Sequence, residues 1–349
     1  MPRKPRSAVV SRTKAGTYHI CTRVTRGMLL LAREHCPWAP APQRDFTGGC
    51  AGGADSGPAD PNDPDDLGGA PLTMKSLFLA RLDALRTAFP MALLSYAIMD
   101  NHLHLVIHFD PAEVKRWSDR DVVERWVRLC PGDLKRRVDP EAAILRRIDA
   151  LCGQKRAVKK IRGDLRNLSV FTKLLKQAMA EHYTRQTRET GSLFQGRCAI
   201  SRATSDLEAV AMLAYVECNP YAAGLCEKPE RGLHTSLEAR LWPKGGAASD
   251  QQAEDAQPER VRRGLRVLCV LPEKPVVLER AGCCDAEGRF KLPPLHERLT
   301  LKTLRSAVSA LAAKLRPGKR CLEVSAKERW ELAQSAAQAV WQTGNPALA

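Results

Sequence analysis

An α+β fold follows from two observations. Two short runs, 93–98 and 102–109, have the length and alternation of strands, and the segments around them carry apolar residues at helical spacing. The clearest strand is Asn101-His102-Leu103-His104-Leu105-Val106-Ile107. Alternate side chains of a strand share a face, so His102 and His104 point one way while Leu103, Leu105, Ile107 and Phe109 point the other. Two imidazoles thus stand on an apolar wall. His108 shares their face but lies roughly 13 Å beyond His104 at about 3.3 Å per residue, which reads as a surface or partner-facing position.

The remaining elements follow in chain order. Residues 1–14 are basic and lack the apolar core of a signal peptide, and no run is long enough to span a membrane, so a soluble, cytoplasmic protein is expected. Residues 36–73 are rich in Pro, Gly, Ala and Asp, and read as a disordered acidic insertion. A helix starts near Met74, with Leu77, Leu79, Leu82, Leu85 and Phe89 as its apolar set. From 111 to 188 the pattern is helical, with Trp117, Val122, Trp126, Val127 and Leu129 in one segment and Val170, Phe171, Leu174, Leu175 and Met179 in another.

Ser205 three residues before Glu208 forms a capping-box signal, and Pro220 stops the pattern, so one helix is predicted over 206–219. On it Tyr215 and Asn219 are four apart and share a face. Cys218 turns away from that face. Residues 245–349 read as a linker and a helical extension, whose last helix opens on Ser325 and Glu328 and carries Trp330, Ala333, Ala337, Val340 and Trp341. That extension is a DNA-binding or oligomerisation module, or it packs on the core. Twelve cysteines include no Cys-x-x-Cys, so reduced thiols are expected rather than a zinc site or disulfides.

Charge narrows the partner. The chain has 55 Lys and Arg against 39 Asp and Glu, a net +16, which suits a polyanion better than a small neutral ligand. Residues 155–202 hold twelve basic and three acidic residues directly before the tyrosine helix. The segment is either a solvated helical face or a surface holding a phosphate backbone, whose affinity then falls steeply with salt.

The stretch Tyr96-Ala97-Ile98-Met99-Asp100-Asn101-His102-Leu103-His104, together with Tyr215-Val216-Glu217-Cys218-Asn219-Pro220, resembles the HUH-type single-tyrosine transposases. That family includes the REP-associated tyrosine transposases and the transposases of small single-strand insertion sequences. Gly16-Thr17-Tyr18-His19-Ile20-Cys21-Thr22-Arg23 is similar to its opening strand, and Gly191-Ser192-Leu193-Phe194-Gln195-Gly196-Arg197 to its aromatic-Gln-Gly-Arg segment. The four motifs stand in the family's order and cover residues 16 to about 240 with gaps.

The resemblance implies a central antiparallel sheet with helices on one face, a ferredoxin-like HUH endonuclease core, interrupted by a helical insertion and followed by a helical C-terminal extension. It divides the chain into core at 1–35, 74–110 and 189–244, with insertions at 36–73 and 111–188. The sequence departs from compact members in one respect: His104 and Tyr215 are 111 positions apart.

Tyr215 is then the nucleophile, with His102, His104 and Asn219 as ligands of Mg2+ or Mn2+. Two neutral imidazoles and a carboxamide oxygen leave coordination positions for phosphate oxygens and water. Arg23, Lys173, Lys176, Arg185, Arg188, Gln195 and Arg197 are the candidate contacts to single-stranded or hairpin DNA. The implied reaction is cleavage and rejoining through a 5′-phosphotyrosine, by a monomer or a homodimer. A hairpin binder that no longer cuts, and a metal-dependent nuclease that uses water, stand as alternatives.

Overall fold

The computed structural model describes residues 5–27, 31, 74–187, 191–241, 300–315 and 325–342. The expected insertion at 36–73, the linker after 245 and Arg188 lie outside these residues. A short helix α1 (Arg6–Val9) leads into β1 (Gly16–Arg23), followed by α2 (Met74–Ala88), β2 (Met91–Ile98) and β3 (His102–Phe109). Four helices come next, α3 (Asp119–Leu129), α4 (Pro140–Cys152), α5 (Lys155–Leu165) and α6 (Leu168–Thr187). The chain continues through β4 (Ala199–Arg202), α7 (Asp206–Glu217), α8 (Asn219–Ala222), α9 (Ser236–Leu241), α10 (Leu301–Leu315) and α11 (Ala326–Gln342).

The four described strands form one antiparallel sheet in the order β2-β3-β1-β4. Its alternation builds two different faces. Tyr18, Ile20, Leu103, Leu105, Ile107 and Phe109 are buried on one, beneath a layer that includes Phe78, Leu82 and Leu85 of α2 and Phe171 and Leu175 of α6. Local signals fix the helices there. Ser118 and Asp121 close a reciprocal capping box at the start of α3, and Asp139 caps α4 with Pro140 in its first turn.

The opposite face carries small or polar residues at its centre, among them Ala97 and Val106, and α7 lies over it. From Ala209 to Ala214 every residue of α7 is buried, because α10 and α11 cover its outer side. Leu304, Val308 and Leu311 of α10 pack with Ala333, Ala336 and Ala337 of α11 in this second core. Burying each of the three large side chains is worth about 1.5–3 kcal/mol. Helices therefore cover both faces of the sheet rather than the one expected, since the tyrosine helix and the helices of 111–188 lie on opposite sides. The C-terminal helices pack on the core, against the helix that carries Tyr215.

Candidate active site

Register brings the imidazoles together. On β3, His102 stands opposite Arg23 and His104 opposite Cys21 of β1, while His19 stands opposite Val106. Residues paired across a ladder share a face, so His19, Cys21 and Arg23 join His102 and His104 on the side covered by α7. The rings of His102 and His104 meet edge to face with centroids 5.0 Å apart. His19 Nε2 lies 2.8 Å from His104 Nδ1, with the two rings nearly coplanar.

The tyrosine helix completes the cluster. Tyr215 presents its ring edge-on to His104 at 5.8 Å and to His19 at 5.9 Å between centroids. Trp330 of α11 closes the other side at 6.1 Å. The expected single helix over 206–219 is divided instead: α7 ends at Glu217, Cys218 makes a turn, and α8 begins at Asn219. Pro220 sits in the first turn of α8, where its missing N–H has no helical partner to lose, so it does not end the helical path.

Hydrogen bonds set the ring nitrogens. Asn101 Nδ2 donates to the Gly27 carbonyl, which leaves Oδ1 facing His102 Nδ1 at 2.6 Å. Since that oxygen only accepts, His102 Nδ1 is the protonated nitrogen and Nε2 keeps its lone pair. Between His19 and His104 one nitrogen donates and the other accepts. Burial lowers the His19 pKa to about 4. Burial, with Arg23 and Arg329 nearby, also takes His102 to about 4 against the opposing pull of Asp100. His104 falls well below its ordinary range, mainly through burial. All three are neutral at pH 7, as metal ligands must be.

Asn219 is buried, and its Nδ2 donates 2.8 Å to the Tyr215 carbonyl. Its amide is thus tied to the tyrosine helix, and Oδ1 is its remaining group for an ion. Among the described residues no cluster of three or more His, Cys, Asp and Glu has metal-binding geometry. Two imidazole nitrogens and a carboxamide oxygen, the set expected from the sequence, would suit an ion that takes most of its ligands from phosphate and water.

Tyr215 is half-buried, and burial pushes its phenol above the ordinary value of 10, while Arg329 and Arg23 pull it back. Two residues on, Glu217 is fully buried and locks the helix to its surroundings. Its carboxylate accepts from Ser95 Oγ at 3.0 Å, the Leu237 N–H at 2.9 Å, Arg240 Nη1 at 3.0 Å and Ser236 Oγ. Arg240 also reaches the Leu94 carbonyl, so β2, α7 and α9 share one polar knot.

The other candidate contacts are placed unevenly. Gln195 donates its backbone N–H 2.8 Å to the Arg23 carbonyl, which sets the exposed Gln195 and Arg197 beside the end of β1 that carries Arg23. Lys176 of α6 bonds the Gly196 carbonyl and lies 5.2 Å from the Phe194 ring centre, so its ammonium already braces that segment. Lys173 and Arg185 are exposed on α6. His19, Arg329 and Trp330 were not among the site residues expected from sequence. His19 alternates with Cys21 and Arg23 and was readable as facing them, but its meeting with His104 needs the register of β1 on β3.

No family model matches the chain, and no curated protein does. A solved structure described as "Structure of the REP associates tyrosine transposase bound to a REP hairpin" is similar to it at 9% identity. The match covers 69% of this chain and 86% of that one with a TM-score of 0.35, a likeness too slight to carry an argument. Among the described residues no helix is long and apolar enough to cross a membrane.

Proposed function

We propose that this protein cleaves and rejoins single-stranded, hairpin-bearing DNA through a phosphotyrosine formed on Tyr215. The observation that carries the reading is the convergence of the Tyr215 ring on the neutral His104, beside His102 and within the fields of Arg23 and Arg329. A phenol, ligand nitrogens and fixed positive charge are what phosphoryl transfer to tyrosine requires, because its catalysis is mainly positioning and charge stabilisation. The antiparallel sheet, with His102 and His104 on its second strand, supports the reading.

His102 and His104 would hold Mg2+ or Mn2+ with Asn219, and the ion would supply Lewis-acid polarisation of the phosphate. The chain's own residues do the rest. Tyr215 Oη attacks phosphorus in line and gives its proton to solvent, while the bond from phosphorus to the 3′ oxygen breaks and that oxygen takes up a proton. The 5′ phosphate stays on the tyrosine. A 3′ hydroxyl that attacks the phosphotyrosine restores the diester and frees the phenol, with no nucleotide cofactor needed. Arg23, Gln195 and Arg197 would contact the strand, with Lys173, Lys176 and Arg185 of α6 as further candidates. Strands of this kind are held by backbone charge and base stacking.

The test is incubation with Mg2+ or Mn2+ and labelled hairpin DNA from repeats flanking the gene, resolved under denaturing conditions. A protein-linked band lost in Tyr215→Phe and in His104→Ala supports the reading. Cleaved DNA without an adduct points to a hydrolytic nuclease, and binding with neither points to a hairpin binder.

A further inference from the structure

We infer that Arg329 of α11 binds the phosphodiester that Tyr215 attacks, so that the C-terminal helices complete the catalytic site. The inference rests on the reading of Tyr215 as nucleophile and adds the residue that receives the substrate's charge.

Three observations carry it. Arg329 precedes Ala333 by four and Ala336 by seven, which sets it on the buried side of α11, in the core shared with α7 and α10. The next residue, Trp330, has its ring edge-on to Tyr215. Arg329 is only partly exposed, its Nε is buried without a hydrogen-bond partner, and among the described residues its side chain forms no ion pair. A guanidinium with a buried, unused donor is costly, and a bound anion is the partner that would satisfy it. Its positive charge acts on Tyr215, His102 and His104 alike.

The chemistry identifies the anion. Arg329 and Arg23 flank neutral imidazoles and a phenol, with Asp100 the acidic group that acts on the cluster, and Asp100 is paired 2.6 Å from Lys75. Such a site suits a singly charged diester, which a guanidinium grips by two parallel N–H bonds. The same charge would oppose build-up of negative charge on the oxygens of the reacting phosphate.

The experiment is a charge-deletion cycle read by fluorescence anisotropy. Full-length Tyr215→Phe protein, which cannot form the adduct, is titrated with hairpin DNA whose single-stranded flank carries a neutral methylphosphonate at each linkage in turn. Arg329→Gln and Arg329→Lys are made in the same background, and melting curves check that each folds. At one linkage, neutralisation is expected to weaken binding by about 10- to 100-fold with Arg329 present and by less than about 2-fold in Arg329→Gln, with Arg329→Lys intermediate.

Equal losses for all three proteins at every linkage would overturn the inference, as would an Arg329→Gln protein that binds the native strand unchanged. Should Arg329→Gln not fold, a folded Arg329→Lys that shows no reduced loss at any linkage overturns it too. The two readings fail separately. Coupling in a protein whose wild type never forms an adduct refutes strand transfer and keeps the phosphate site, whereas adduct without coupling refutes the phosphate site alone.

Discussion

Removing Glu217 should destabilise the protein more than any other single change near the site. Its carboxylate is 0% and the Arg240 side chain 5% exposed, so truncation takes away one half of a buried ion pair. Breaking a buried pair from one side costs about 3–5 kcal/mol. Glu217→Ala also removes the acceptor of Ser95 Oγ and of the Leu237 N–H. At about 2–4 °C per kcal/mol, the melting temperature should fall by roughly 6–20 °C. Urea unfolding at pH 7 measures the cost directly. The double change Glu217→Gln with Arg240→Met removes both charges, and should cost less than the sum of its singles by at least about 1 kcal/mol. A Glu217→Ala cost below about 1 kcal/mol, or strict additivity in the double, would refute the claim that this knot fixes the tyrosine helix.

Acid should loosen the site through its histidines. His19 and His102 have folded pKa values near 4 against an ordinary 6.5, so below pH 6.5 the unfolded chain binds protons that the folded one refuses. Stability is therefore lost as pH falls from 6.5 towards 4, by up to about 3 kcal/mol for His19 alone. Urea midpoints across that range should show a shallower slope in His19→Gln, and an unchanged slope would contradict the buried neutral pair. Ala336→Leu, at a fully buried position in the core that α11 shares with α7 and α10, should cost about 1–3 kcal/mol by overpacking. Adduct yield should fall with it, whereas a neutral result in thermal melting would mean that α11 does not dock as described. Trp330→Ala should lower the rate of adduct formation more than hairpin affinity, because it removes the ring beside Tyr215. Equal losses in both measurements would assign Trp330 to DNA binding instead.

Much of the sheet was legible because strand alternation is a local signal. His102 and His104 were assigned to one face from spacing alone, and the start of α7 from Ser205 and Glu208, whose cap the fold contains. Pro220 was misread as a stop because proline interrupts a helix only where an N–H is needed, and the turn at Cys218 removes that need. His19 was missed for a different reason. Its partner is 85 positions away, and only the pairing of β1 with β3 brings them within a hydrogen bond.

The C-terminal extension left a clearer trace than its lack of motifs suggested. A helix on a sheet needs one apolar stripe, yet residues 207–216 are apolar on almost every side, with Glu208 the charged exception. Such a helix must be covered from outside as well, and the covering layer decides what lies over Tyr215. Here α10 and α11 supply that layer, with Ala333, Ala336 and Ala337 small enough to let α11 approach closely. The close approach sets Trp330 against the phenol, with Arg329 the residue before it on α11. The composition of the tyrosine helix therefore already required a partner segment, and the placement of charge at the site follows from which segment met that requirement.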